Sequence, residues 1–264
     1  MTNPLMMNAV VVALLMLTIW LGSILCRNAS IVDAFWGLGF VLIAWTTFRM
    51  TDPQPRSFLL PVLTTIWGMR LSVFLAWRNW GLPEDFRYRS MRDKHGSRFW
   101  LISLLTVFVL QGLVMWIVSL PLQTSGPMEA GNTGLIVIGV LLWLMGILFE
   151  AVGDWQLARF RSVATHKGSV LDRGLWRYTR HPNYFGDFCV WWGLFILSLQ
   201  HGAPVWSVVG PIVMSILLLK FSGVALLEKS LKKAKPDYAE YVATTNAFFP
   251  WLPRKRKSAL RTES

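Results

Sequence analysis

The sequence predicts an all-α fold: a polytopic membrane bundle of seven transmembrane helices, N-terminus outside and C-terminus cytoplasmic. Three observations predict it. Of 264 residues, 54% are hydrophobic and only 15% charged, where a soluble domain carries about 25% charged residues. Apolar runs close to the roughly 20 residues that a helix needs to cross the ~30 Å hydrocarbon core recur along the chain. Lys and Arg are split very unevenly between alternate connections. The 15 Trp residues fit the same picture, because Trp collects at membrane–water interfaces.

The runs follow in order. Pro4 to Cys26 is uncharged and has no basic leader, so it reads as a retained helix rather than a cleavable signal. Asp33 to Phe48 is shorter and opens on a carboxylate. Ser57 to Trp77 is interrupted only by Arg70. Leu101 to Leu122 holds no charge and is the clearest span. Thr133 to Phe149 leads into Glu150 and Asp154, Asn183 to Gln200 carries Asp187 near its start, and Gly202 to Leu219 ends at Lys220. The shorter runs must tilt little or extend into their polar flanks.

Orientation follows from the cations. With the N-terminus outside, the inward parts hold 22 of the 26 Lys and Arg residues, and the outward parts hold only Arg49 and Arg56. The positive-inside rule thus accounts for the +12 net charge, and no nucleic-acid partner is needed. The basic stretch Arg254 to Lys257 reads as a patch for membrane lipids. The chain reads as one membrane domain, 1–264, without repeat or linker. Cys26 and Cys189 lack metal-type spacing and read as buried free thiols. The four His are scattered, which argues against zinc.

Three inward stretches carry chemistry: Arg78 to Arg89, Glu150 through to Asp187, and Glu228 to Trp251. No G-x-G-x-x-G after a strand, P-loop, H-E-x-x-H or G-x-S-x-G is present. Any nucleotide must therefore sit in a helical site. Arg161, Arg173, Arg177 and Arg180 could clamp phosphates, since guanidinium forks match phosphate oxygens. Trp176, Tyr178 and Tyr184 could stack on a base. The other reading of these arginines is that they only enforce orientation. Asp33 is either a proton donor whose acidity is weakened by apolar surroundings or a helix N-cap. Asn183 and Asp187 lie one turn apart on one helix face, as a site for an amide or ribose or as a pair linking helices.

The block Gly174 to Asp187, reading Gly-Leu-x-x-Tyr-x-x-x-x-Asn-Tyr-x-Gly-Asp, resembles the C-terminal domain of the steroid 5-alpha-reductase family. Its Arg-His-Pro-Asn-Tyr-Phe-Gly core most resembles a bacterial branch, a domain family of unknown function of the DUF1295 type. The loop Trp77 to Tyr88 and the ending with Glu228, Tyr238, Tyr241 and Phe249-Pro250 look like that branch too. Isoprenylcysteine and phospholipid methyltransferases share a similar Arg-His-Pro-x-Tyr-x-Gly. The resemblance implies a multi-pass reductase of the bacterial inner membrane that uses NADPH to reduce an activated C=C bond of a lipophilic small molecule. On it, Asp154 and Arg161 match residues that hold the nucleotide, and Tyr178, Asn183 and Asp187 match positions around the cofactor. The cofactor-binding half is expected over about 132–253. Joined with the arginine cluster and the rest of the shared motifs, the expected set is Asp154, Arg161, Arg173, Tyr178, Arg180, His181, Asn183, Tyr184, Asp187 and Glu228. Steroid reductases polarise the enone carbonyl with a Glu–Tyr pair whose Tyr has no clear counterpart before Arg78, so Asp33 and Tyr88 share the expectation for the catalytic acid. Two other functions stay open: an S-adenosylmethionine-dependent methyltransferase of a lipid or lipidated substrate, and a non-catalytic membrane accessory protein.

Overall fold

Helices make up all the regular structure among the described residues of the computed structural model, which are 3–51, 55–127, 132–166, 168–221 and 238–254. Four helical runs are long and apolar enough to cross a membrane: Pro4–Leu25, Leu59–Asn79, Phe86–Val118 and Thr133–Ser162. Val205–Lys220 is apolar but shorter. These helices carry large exposed apolar side chains, such as Leu14, Val73, Leu105 and Leu148. An aqueous surface would not hold so many in such long rows, whereas lipid accommodates them. The described residues are therefore those of a helical membrane protein.

The chain divides into two compact units, residues 1–140 with 193–213, and residues 141–192 with 214–264. In the first, α1 (Pro4–Leu25) packs on α3 (Trp36–Met50), which packs on α4 (Leu59–Asn79). α3 and α4 cross at glycines: a Cβ on Gly37 would lie 2.0 Å from the Gly68 carbonyl oxygen. Trp67, Phe40, Phe108 and Met115 fill the interior. Some polar groups within the bundle pair across helices, which suits an interior without water. The Asn8 amide donates to Thr47 Oγ1 (2.8 Å), and the Trp116 indole N–H donates to the Leu5 carbonyl (3.0 Å).

Two details differ from the sequence expectation. The run expected to begin at Asp33 is broken: a four-residue helix, α2 (Ile31–Ala34), ends at Phe35 before α3 begins. Ser30 occupies the cap position of α2, so Asp33 is not the N-cap; its carboxylate bonds Tyr88 and Arg87 instead. Cys26, expected to be buried, is exposed, while Cys189 is buried. Cys26 closes the last turn of α1, beyond the packed face.

The 33 residues of Phe86–Val118 do not form one straight rod. Tyr88 and Gln111 would be about 34 Å apart along such a helix at 1.5 Å per residue, yet their side chains meet at 3.1 Å. The chain therefore doubles back. It does so after α5 (Phe86–His95), at Gly96, whose φ of +53° suits glycine. The apolar span proper is α6 (Phe99–Ser103), a π-helical turn (Leu104–Val109) and α7 (Leu110–Val118). A short helix, α8 (Leu120–Gln123), closes it.

Helices α9 (Thr133–Ser162) and α10 (Pro182–Gln200) run through both units. Pro182 stands at the first position of α10, where its missing N–H costs nothing. α11 (Val209–Ile216) continues into a π-helical turn, Leu217–Phe221. α12 (Tyr238–Thr244) then leads into the described end of the chain.

Candidate functional site

In the second unit, glycines let α9 and α10 touch backbone to backbone. A Cβ on Gly186 would lie 2.5 Å from the Gly146 carbonyl oxygen, and one on Gly153 would lie 3.1 Å from Pro182. That crossing brings polar side chains face to face. Glu150 and Asp154 are buried one turn apart on α9. The Asn183 amide donates to Asp154 Oδ1 (3.1 Å), while its oxygen accepts the Tyr184 N–H (3.1 Å). Asp187 is half-buried one turn beyond Asn183.

The segment before α10 is stitched to its surroundings. Gly174 has φ +59° and is in contact with Gln156, leaving no room for a side chain. The Gln156 amide oxygen accepts the Leu175 N–H (3.0 Å). The buried Trp176 donates its indole N–H to the Gly153 carbonyl (3.0 Å), and its own carbonyl accepts the Tyr241 hydroxyl. Thr179 Oγ1 donates to the Phe248 carbonyl (2.7 Å). The Arg180 N–H donates to the Asn246 carbonyl (2.9 Å), and its guanidinium donates to the carbonyls of Val242 (3.2 Å) and Thr245. A cation on the last carbonyls of α12 also complements the negative end of that helix. The His181 ring stacks on Tyr184, with centroids 5.4 Å apart.

The end of α9, the loop after it, the Trp176–His181 segment and α12 line an open cavity of about 440 Å³, within the range of about 300–1,000 Å³ usual for small-molecule and cofactor sites. Its wall includes Arg161, His166, Trp176, Arg180, His181, Tyr238 and Tyr241, with Leu157, Phe160 and Leu171 as apolar surface. His166 lies flat on Phe160, centroids 4.3 Å apart.

The first unit carries a separate polar network at its α2 and α5 ends. The Tyr88 hydroxyl donates to Asp33 Oδ1 (2.9 Å), and Arg87 pairs with Asp33 Oδ2 (3.2 Å). Asp85 caps α5 by accepting the Arg87 N–H (2.9 Å) and also takes the Arg87 side chain (2.9 Å). Glu84 accepts the Ala29 N–H (2.7 Å) and a bidentate pair from Arg92, both contacts 2.8 Å. Burial pushes the Asp33 carboxyl above the ordinary carboxylate range, against the opposing pull of Arg87 and the Tyr88 hydroxyl. Burial also acts on Glu84, but the hydrogen bonds from Arg92 and Ala29 outweigh it and hold that carboxyl below its ordinary range.

Of the residues singled out from sequence, Arg161, Arg180 and His181 line the cavity. Asp154 and Asn183 meet each other, and Tyr184 packs on His181. Arg173 and Tyr178 are exposed and stand outside the cavity wall. Glu228 lies outside the described residues. Asp33 and Tyr88 meet in the first unit. Sequence reasoning passed over Gln111, His166 and Gln156. Gln111 had a signal, since an amide in a charge-free membrane run needs a partner. His166 and Gln156 had none, because only the folded loop gives them their neighbours.

Fold and site together define a helical membrane protein with a polar, arginine-bearing cavity beside the crossing of two glycine-packed helices. The family described as "Protein of unknown function (DUF1295)" matches residues 19–245, and the chain belongs to it. No curated protein and no solved structure matches the chain.

Proposed function

We propose that this protein is an NADPH-dependent ene-reductase that reduces the activated C=C bond of a lipid-soluble enone, steroid- or isoprenoid-like. It works in the bacterial inner membrane, with seven crossings and a cytoplasmic C-terminus. One observation carries the reading: the 440 Å³ cavity of the second unit, with arginine, histidine and tyrosine side chains in its wall. The resemblance to the steroid 5-alpha-reductase domain supports it. These residues fit a nucleotide. Guanidinium forks suit phosphate oxygens, flat aromatic faces suit a base, and neither group needs a metal. Bound there, NADPH supplies the hydride.

The chain's own residues then have separable tasks. Arg161, at the exposed lip of the cavity, binds phosphate. Arg180 holds α12 against the Trp176–His181 segment and so keeps the wall in place. Asp154 fixes the Asn183 amide at the mouth of α10. Tyr88 and Asp33 hold a proton in the first unit. Asp33 is the acid, and the Tyr88 phenol, which donates its hydrogen bond to Asp33, is its partner.

Equilibrium titration of the detergent-solubilised protein tests the assignment. NADPH should bind more tightly than NADH, since an additional phosphate needs cationic partners. Arg161→Ala should weaken NADPH binding by about 1.5–3 kcal/mol, the value of a charge-assisted hydrogen bond. Unchanged NADPH affinity in that variant removes Arg161 from the site. Tight S-adenosylmethionine binding with none for NADPH replaces the reductase with a methyltransferase. No binding of either favours the accessory protein.

A further inference from the structure

Gln111 sits in the span Leu101 to Leu122, at the second position of α7 and two residues past the π-helical turn. Such turns recur where a helix must re-aim a functional side chain. The Gln111 amide is held at both ends. Its oxygen accepts the Trp36 indole N–H at 2.5 Å, and its nitrogen donates to the Tyr88 hydroxyl oxygen at 3.1 Å.

The chemistry of the groups fixes the direction of the chain. An indole N–H only donates, so the amide oxygen must face Trp36 and the NH₂ must face Tyr88. The Tyr88 oxygen is then an acceptor on that side. Its single proton is left to Asp33 Oδ1, 2.9 Å away. Arg87 holds the other carboxylate oxygen at 3.2 Å, so Asp33 cannot swing freely. Trp36, Gln111, Tyr88 and Asp33 thus form one hydrogen-bonded row with one polarity.

We infer that Gln111, oriented by Trp36, is a positioning residue that sets the direction of the Tyr88 hydroxyl and commits its proton to the Asp33 side. The inference rests on the reading that Tyr88 and Asp33 handle the proton of the reduction. Without the Gln111 donor the Tyr88 hydroxyl could rotate about its C–O bond, and the fraction of protein with the proton aligned would fall. Gln111 acts only through Tyr88.

Infrared spectroscopy of the full-length protein in detergent, with ring-labelled tyrosine, tests this directly. The C–O stretch of a phenol separates a hydroxyl that both donates and accepts from one that only donates. The chain has 5 Tyr, so subtracting the Tyr88→Phe spectrum isolates the Tyr88 band. Wild type should show the donor-and-acceptor signature, and Gln111→Leu the donor-only one. Gln111→Glu keeps the side-chain volume but offers Tyr88 an acceptor, and should also lose the wild-type signature. It serves if the Leu variant does not fold. In parallel, NADPH oxidation is followed with one steroidal and one isoprenoid enone as probes. Both variants should lose kcat about ten- to a hundredfold, with KM and NADPH affinity kept. An unchanged Tyr88 band in both variants overturns the inference, and so does a shifted band with unchanged kcat. Absence of NADPH oxidation by wild type overturns the reductase reading, while the band still decides whether Gln111 orients Tyr88.

Discussion

Two carboxylates of the first unit respond to pH with opposite signs. Glu84, tied to Arg92 and to the Ala29 N–H, has its carboxyl held below the ordinary value of 4.5. Its contribution to stability is therefore present above pH 4.5 and lost as the pH falls through the lowered value of the folded state. Asp33 is the reverse. Its carboxyl is raised above 3.8, so the folded protein holds that proton more tightly than the unfolded chain does. Its contribution is complete below pH 3.8 and is lost as the pH rises through the raised value. Glu84→Gln should accordingly flatten the loss of thermal stability below pH 4.5, and should cost about 1–3 kcal/mol at neutral pH by taking from Arg92 its countercharge and one of its two acceptors. Asp33→Asn should make the acid loss steeper. Melting curves from pH 3 to 7 check both, and identical acid limbs in all three proteins would contradict the assignment. At this scale the sequence was legible where one residue type has few uses. A carboxylate opening an apolar run and a row of arginines before a helix announced themselves. The partner of Asp33 was not legible, because it depends on α5 folding back at Gly96.

At the scale of the element, the crossing of α9 and α10 positions the second-unit site. Gly146 and Gly186 admit contact between the two backbones, which places Asp154 within reach of Asn183. Gly186→Ala adds one methyl group that must push the helices apart, since its Cβ would lie 2.5 Å from a carbonyl oxygen and 2.6 Å from the Glu150 nitrogen. Overpacking of this kind costs about 1–3 kcal/mol. The variant should melt at a lower temperature and bind NADPH more weakly. Gly22→Ala in α1, where the nearest atom is an Ile31 methyl at 3.6 Å, should leave both unchanged. Equal melting temperatures for the two variants would show that the crossing is not a close contact. Hydrophobic runs and the Pro182 start of α10 were readable, because length and apolarity decide whether a helix spans a membrane. The break at Phe35 and the π-helical turn before Gln111 left no pattern in the residues; packing against neighbouring helices sets them.

For the whole molecule, the distribution of cations makes the topology testable. Reporter fusions after Ser125 and after Ser264 should report opposite sides of the membrane, outside and cytoplasmic, as the placement of 22 of 26 Lys and Arg requires. The same side for both would contradict the proposed count of seven crossings. The central claim concerns the cavity bounded by Arg161, Arg180, His181 and Tyr241. Hydrogen exchange of the protein in detergent, with and without saturating NADPH, tests it most directly, because a ligand that binds only the folded site slows the opening of the backbone that holds it. Slower exchange with NADPH across 157–166, 168–181 and 238–245 is the predicted result. NADPH binding that leaves those segments unchanged and protects others would contradict the site.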